Sequence, residues 1–191
     1  MRGAEPDMIV VPDWMKKNAV IPLDRTTVFF DGIFTIPQLN HPEGIAIDTQ
    51  GNIWCGGERG EVFRIDRDGC FIGQVATTGG FSLGIAFDGQ GNLFVCDIKN
   101  GAVFRLNIKT GYLCRFADGD GKCKRMHIPN VPVVDVGNGF LYVSDSFHMH
   151  QSGPGIWRFD LQTGRGYLWY DLPCVSPTVL HYPAAEMRFT W

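Results

Sequence analysis

The sequence lacks both an apolar run long enough to cross a membrane and a cluster of positive charge. A membrane-spanning helix needs about 20 consecutive apolar residues, and no such run occurs in the 191 residues. Lysine and arginine number 17 against 20 aspartate and glutamate residues, and no basic run is longer than Lys16-Lys17 or Lys124-Arg125. We therefore expect no membrane and no nucleic acid among the partners of this protein.

Signals for secretion and for cysteine chemistry are also scarce. Residues 1–7 do not contain the apolar core of a signal peptide, and we accordingly expect a cytoplasmic protein. None of the six cysteines forms a CxxC motif, which argues against a disulfide framework or a zinc site. Cys55 and Cys96 lie inside apolar runs, so we predict that both are buried thiols.

No segment shows a convincing helical period, whereas glycine, proline and aromatic residues are abundant. One pattern occurs three times in succession: an apolar run ending in aspartate, a Gly/Asn turn, a second apolar run, and a third run of the type Val-Phe-Arg-Ile-Asp. The aspartates are Asp48, Asp88 and Asp135, which lie 40 and 47 residues apart. Glycine and asparagine tolerate the positive φ angles of tight hairpins, so the turns are predicted at Gly51-Asn52, Gly91-Asn92 and Asn138-Gly139.

The repeat predicts an all-β protein made of propeller blades. Each copy reads as a four-stranded antiparallel meander, and a period of 40 to 47 residues is typical of β-propeller blades. The blades are predicted at 42–76, 83–117 and 129–171, that is, three blades of an incomplete ring. Residues 1–41 are predicted to be an N-terminal arm with an outer strand near 26–30. Residues 172–191 lose the repeat pattern, contain no glycine, and are interpreted as a divergent tail.

The blade motifs resemble a known family. His41-Pro42-Glu43-Gly44 opens the first copy and returns as Pro129-Asn130 in the third. These residues resemble the gluconolactonase and senescence-marker-protein (regucalcin) family of six-bladed propellers, and more distantly strictosidine synthase and NHL-repeat propellers. The resemblance covers about residues 28–171, the first half of such a propeller. It implies a form that is incomplete relative to the family, through natural truncation, an alternative ending or a frameshift, or as a half-propeller.

The resemblance implies a divalent cation in the central channel, held by oxygen ligands at the starts of the inner strands. Glu43 matches the glutamate ligand of the first blade, and Asn130 matches the asparagine that lines the substrate pocket in the third blade. The implied ion is Ca²⁺, with Mg²⁺ or Zn²⁺ as alternatives, and it would polarise the carbonyl of a lactone substrate. The family's arginine two residues before that asparagine is Ile128 here.

Other family residues have no counterpart in this sequence. The asparagine and aspartate ligands that open blades four and five are absent, so the catalytic residues are unknown and hydrolysis by the isolated chain is not expected. His148 and His150 lie in an insertion of the third copy and are candidates for substrate contact, against a solvated loop or a transition-metal site.

The remaining polar residues are interpreted as structural and not as catalytic. Asp97 and Asp145 end equivalent second strands and are predicted to tie hairpin backbone. Ser144-Asp145-Ser146 lies near His148 but lacks the Gly-x-Ser-x-Gly turn of serine hydrolases.

Two functions from different classes therefore remain open. The first is a metal-dependent sugar-lactone hydrolase of the gluconolactonase type, present as an incomplete form, with a small lactone as its substrate if it is active. The second is a non-catalytic, NHL-like propeller module. Exposed blade edges would invite self-association in either case.

Overall fold

The structure is a computed structural model of the chain. It describes residues 25–70, 72–147, 153 and 155–171, together with the backbone of two short strands in the tail. The chain divides into two units, residues 1–31 and residues 32–191, and all of the strands that the structure describes lie in the second unit.

Most of the described strands belong to three four-stranded sheets. Blade 1 contains β1 (Ile45–Ile47), β2 (Ile53–Gly56), β3 (Glu61–Ile65) and β4 (Ile72–Thr77). Blade 2 contains β5 (Ser82–Phe87), β6 (Asn92–Asp97), β7 (Ala102–Asn107) and β8 (Leu113–Ala117). Blade 3 contains β9 (Pro129–Asp135), β10 (Phe140–Asp145), β11 (Ile156–Asp160) and β12 (Gly166–Tyr170). The tail adds a separate two-stranded hairpin of β13 (Val179–His181) and β14 (Arg188–Thr190).

Each blade is an antiparallel meander, because its four strands pair in chain order. The described part of the chain contains no α-helix, and accordingly no helix there is long and apolar enough to span a bilayer. These observations confirm the predicted fold class, an all-β protein with three four-stranded propeller blades.

Residues 26–30, where the sequence predicts an outer strand, have no strand assignment in the structure. A strand is stabilised when its backbone groups pair with a neighbouring strand and its side chains pack. Val28, in the middle of this segment, is 80% exposed and therefore gains little from burial.

The turn after each inner strand is organised by the repeated aspartate. In blade 1, Asp48 Oδ1 accepts hydrogen bonds from the backbone N–H groups of Gln50 and Asn52, both at 2.9 Å. Asp88 and Asp135 bind Asn92 and Asn138 in the same way in the other two blades. Gly51 has a φ of 86°, the left-handed conformation that the Gly-Asn turn requires.

The hydrophobic core lies between the blades. One cluster joins blades 1 and 2, and its members include Trp54, Val62, Ile85 and Leu93. A second cluster joins blades 2 and 3 around Phe94, Val103, Leu141, Val143, Trp157 and Phe159. The aromatic residues at matching positions of the repeat are thus buried between the blades.

The inner strand of blade 1 has one uncovered face. Ile45 and Ile47 are 68% and 65% exposed. The register places Ile85 and Phe87 at the same positions of blade 2, where Ile85 is only 8% exposed and Phe87 packs edge-on against Trp54. Blade 1 therefore covers Ile85 and Phe87 of blade 2, whereas the equivalent Ile45 and Ile47 of blade 1 are exposed to solvent.

Candidate functional site

The candidate residues lie at one end of the blades, which we call the loop end. It is the end at which the inner strands β1, β5 and β9 begin and the second strands β2, β6 and β10 finish. Glu43, Leu83 and Asn130 each stand five residues before the repeated aspartate, so they are equivalent positions of the three blades.

Glycine allows the three inner strands to approach closely at this end. A Cβ atom on Gly44 would lie 2.5 Å from the backbone oxygen of Leu83, and one on Gly84 would lie 2.4 Å from the backbone oxygen of Asn130. Both distances are far below van der Waals contact, which explains why these positions carry no side chain. The Glu43 and Asn130 backbones are consequently separated by a single inner strand, that of blade 2.

Glu43 is accessible and has a histidine partner. Its side chain is 44% exposed, and Oε1 lies 3.0 Å from Nε2 of His41. The His41 ring meets the Phe81 ring edge-on, with 5.5 Å between the ring centroids. His41 also has a φ of 47°, a conformation uncommon for residues other than glycine. Sequence reasoning assigned no role to His41, although it belongs to the motif that carries the family resemblance.

Asn130 is half-buried and oriented by serine. Its Nδ2 donates to Oγ of Ser146 at 3.1 Å, while Oγ of Ser144 accepts a hydrogen bond from the backbone N–H of Val131 at 3.0 Å. The amide nitrogen of Asn130 is therefore engaged, which leaves its carbonyl oxygen for a ligand. The two serines hold the start of β9, and no described histidine hydrogen-bonds to either hydroxyl.

Buried aspartates organise the loops of this end, as predicted. Asp145 is 1% exposed and accepts hydrogen bonds from the backbone N–H groups of His127, Ile128 and Phe147 and from Nε1 of Trp157. Asp97 is fully buried and binds Thr78, Phe81 and Asn100 in the equivalent place of blade 2. Because their oxygens are occupied in this way, these carboxylates act as structural anchors.

A pocket of about 370 Å³ opens at the loop end. Phe81, Ile98 and Ile128 supply its apolar wall, and the exposed residues Glu58, Arg59 and Lys99 also line it. Phe81 connects this pocket to His41 and thereby to Glu43. Ile128 contributes a hydrophobic surface at the position where the resembling family has arginine.

The two histidines predicted to contact substrate, His148 and His150, lie outside the described residues. The described residue before them, Phe147, has a φ of 53°, and its ring lies 4.6 Å from that of His127. Phe147 and His41, the non-glycine residues recorded with positive φ, both belong to the loop end.

The oxygen donors of the loop end fit a hard divalent cation only in part. Glu43 offers a carboxylate and Asn130 an amide oxygen, both of which are suitable ligands for Ca²⁺. The equivalent position of blade 2, however, is Leu83, which has no side-chain oxygen. Among the described residues there is no group of three or more His, Cys, Asp or Glu side chains that could hold a metal ion. A complete coordination shell is thus not formed by the part of the chain that the structure describes.

The buried cysteines are not suited to chemistry at this site. Burial raises the pKa of Cys55 to about 11 and the pKa of Cys96 well above its usual value. Both side chains therefore remain neutral thiols at physiological pH, in agreement with their predicted role in the core.

Comparison with known proteins supports the propeller architecture. The family model described as "Strictosidine synthase-like, N-terminal" matches residues 33–65, which include β1, β2 and β3. A search of curated proteins found no matching sequence.

Solved structures of similar fold include a chain of a nidogen/laminin complex, with a TM-score of 0.64 and 16% identity. They also include a gluconolactonase from Xanthomonas campestris, with a TM-score of 0.58 and 19% identity, and a putative gluconolactonase, with 0.61 and 18%. The aligned regions cover 77%, 70% and 74% of this chain, respectively, and 54%, 48% and 52% of those chains.

The chain therefore spans about half the length of the solved structures it resembles. At identities below 25%, these matches show the fold and not the activity. The resemblance to a propeller family is confirmed at this level, whereas the assignment to the regucalcin type and the incompleteness of the chain stay predictions. The chain has the β-propeller fold, and gluconolactonases are among its structural neighbours.

Proposed function

We propose that the loop end of this chain forms part of the cation and substrate site of a divalent-metal-dependent sugar-lactone hydrolase of the gluconolactonase type. The observation that carries the proposal is the placement of Glu43 and Asn130 at equivalent blade positions, on inner strands separated only by β5. In a propeller the starts of the inner strands surround the central channel, so oxygen donors of blades 1 and 3 can contribute to one site there.

In this proposal, Glu43, His41 and Asn130 have different roles in binding the cation and the substrate. Glu43 binds the cation, with His41 holding one of its oxygens until the ion arrives, and Asn130 presents its amide oxygen to the cation or the substrate. The bound cation would supply Lewis-acid polarisation of the lactone carbonyl. Ca²⁺ is the first candidate because both donors are hard oxygen ligands, and Mg²⁺ and Zn²⁺ are the alternatives.

Binding of a stable substrate analogue tests this proposal without requiring turnover. The full chain is titrated with gluconolactam, a non-hydrolysable analogue of the sugar lactone, in the presence of Ca²⁺ and in the presence of a chelator. We expect saturable binding only with Ca²⁺, weakened about tenfold or more in Glu43→Gln because a charged ligand of the ion is lost. Asp68→Asn is the control, since Asp68 is an exposed carboxylate in the β3–β4 turn at the opposite end of blade 1. Binding that is absent with Ca²⁺, or unaltered by Glu43→Gln, would contradict the proposal.

One observation favours the second candidate function, a non-catalytic interaction module. Ile45 and Ile47 form an exposed face of β1. The equivalent residues of blade 2, Ile85 and Phe87, pack against blade 1. A second copy of this chain offers blade surfaces of the same chemistry, so self-association is the interaction that this face supports.

A further inference from the structure

The repeat contains an arginine in each third strand whose surroundings differ between the blades. Arg64, Arg105 and Arg158 occupy equivalent positions of β3, β7 and β11. The guanidinium of Arg105 lies over the Phe116 ring at 5.5 Å, and that of Arg158 lies over the rings of Phe140 and Tyr167 at 4.4 and 5.1 Å. Cation–π contacts of this kind hold an exposed arginine against its own blade.

Arg64 has no such partner in blade 1. The strand register places Gly73 opposite Arg64, where blade 3 has Tyr167 opposite Arg158. Asn52 stands where blade 3 has Phe140. Within the described residues, the exposed Arg64 side chain makes no hydrogen bond, ion pair or ring contact. Its charge is therefore available to a ligand, unlike those of the other two repeat arginines.

The unpartnered arginine lines a cavity of about 390 Å³ between blades 1 and 2. This cavity lies at the end of the blades opposite the loop end, where the β1–β2 and β5–β6 turns project. Its volume is within the range of small-molecule sites. Polar groups line most of it, including Arg64, Lys109, Gln50 and Gln90, and Trp54 and Ile108 add apolar surface.

The cavity brings together two positive charges and several neutral hydrogen-bonding groups. Lys109 extends the positive charge of Arg64, and blade 3 has the neutral Gln162 at the corresponding position. The carboxylate in the wall, Asp48, already accepts hydrogen bonds from Gln50, Asn52 and Trp54. The oxygens of Asp48 are thus occupied by hydrogen bonds within the β1–β2 hairpin. The charges of Arg64, Lys109 and Asp48 together give the cavity lining a net charge of plus one.

We propose that this cavity binds a small phosphorylated polyol, such as a sugar phosphate. The guanidinium of Arg64 and the ammonium of Lys109 match a phosphate dianion, for which arginine forms paired charge-assisted hydrogen bonds. The side-chain amides of Gln50 and Gln90 and the hydroxyl of Thr49 suit the hydroxyl groups of a sugar. This site is separate from the proposed lactone site and does not depend on it.

Calorimetric titration of the full chain with glucose 6-phosphate tests the proposal, with glucose and inorganic phosphate as the comparison ligands. We expect saturable binding of glucose 6-phosphate that is at least about fivefold tighter than that of inorganic phosphate, no binding of glucose, and weakening as salt is raised. Arg64→Gln and Lys109→Gln are each expected to weaken binding about tenfold, as for loss of one charge-assisted hydrogen bond.

Arg105→Gln is the matched control, because it removes the same charge from the equivalent strand of blade 2 but outside the cavity. Its affinity for glucose 6-phosphate should equal that of the parent protein. Unchanged thermal midpoints will show that the three positions tolerate the substitutions. Absence of saturable binding, equal affinity for inorganic phosphate, or an equal loss in Arg105→Gln would each overturn the proposal.

Discussion

At the scale of single residues, buried or half-buried aspartates hold the turns and loops in place. Asp48, Asp88 and Asp135 each bind the turn that follows an inner strand, and Asp97 and Asp145 bind the loops at the opposite end. Each carboxylate accepts hydrogen bonds on both of its oxygens, whereas a neutral amide has only one acceptor oxygen because its other polar atom is a donor.

Asp48 makes the stability of the protein sensitive to acid. Burial acts to raise its pKa, but the hydrogen bonds from Trp54 and Asn52 and from backbone N–H groups outweigh this effect, and the pKa is lowered overall. The stabilisation is complete above the pKa of the unfolded chain, close to 4, and is lost as the pH falls through the lower folded value. Asp48→Asn should lower the thermal midpoint at pH 7 by about 2–4 °C.

The difference in midpoint between the parent protein and Asp48→Asn should shrink as the pH is lowered below about 4. Thermal unfolding followed by circular dichroism at several pH values measures it. Asp68→Asn serves as the control, because Asp68 is exposed and its recorded ion pair is with the exposed Arg67. A difference that is independent of pH between 7 and 2.5 would contradict this role of Asp48.

Asp145 should be among the most sensitive positions of the chain. Asp145→Ala would leave the N–H groups of His127, Ile128 and Trp157 without their acceptor in a buried place, at a cost of about 3–5 kcal/mol. Chemical denaturation measures this loss in the free energy of unfolding. Asp120→Ala is the comparison, since Asp120 also accepts three backbone hydrogen bonds but is only partly buried. Similar losses in the two variants would contradict the importance of burial.

At the scale of strands, close contact between neighbouring inner strands places the candidate residues. Gly84→Ala should lower the free energy of unfolding by about 1–3 kcal/mol, because its Cβ would lie 2.4 Å from a backbone oxygen that cannot move without β9. Gly137→Ala is the control, since the nearest atom to its Cβ would be at 3.7 Å, an ordinary contact. Urea denaturation of both variants gives the comparison, and equal stability would mean that β5 and β9 are not in close contact.

Most of the strands and hairpins could be predicted from the sequence, because each hairpin is formed by residues close in sequence and the same pattern occurs three times. Three aspartates and three Gly/Asn turns at matching positions specify the hairpins, and the matching aromatic residues indicate the core between blades. The contact of His41 with Phe81 and Glu43 could not be foreseen, since it joins the loops of different blades. The surroundings of Arg64 emerged only from the register, which places Gly73 where blade 3 has Tyr167 and Asn52 where blade 3 has Phe140.

At the scale of the whole molecule, the three described blades leave one apolar face of β1 exposed. Ile45 and Ile47 are exposed, whereas the equivalent Ile85 is buried against blade 1. Contiguous exposed apolar surface of this kind favours association. The exposed face of β1 and the partial cation site are features that the structure shows and that the repeat pattern of the sequence does not.

Self-association through this face can be measured by sedimentation velocity over a range of protein concentrations. The parent protein should form dimers as the concentration rises, and Ile47→Lys should remain monomeric at the same concentrations because a charge is placed on the contact face. Tyr112→Lys is the control, since Tyr112 is 68% exposed and lies outside β1. A monomeric parent protein, or dimers that persist in Ile47→Lys, would contradict this use of the face.

The measurement that tests the function of the loop end most directly is calorimetric titration of the full chain with Ca²⁺. If Glu43 is a ligand of the ion, the parent protein and Asp68→Asn, whose exposed carboxylate lies at the opposite end of blade 1, should bind Ca²⁺ with the same affinity. Glu43→Gln should bind it about tenfold more weakly or not at all. Binding that is equal in all three proteins, or absent from the parent protein, would contradict the assignment of a cation site to this end of the blades.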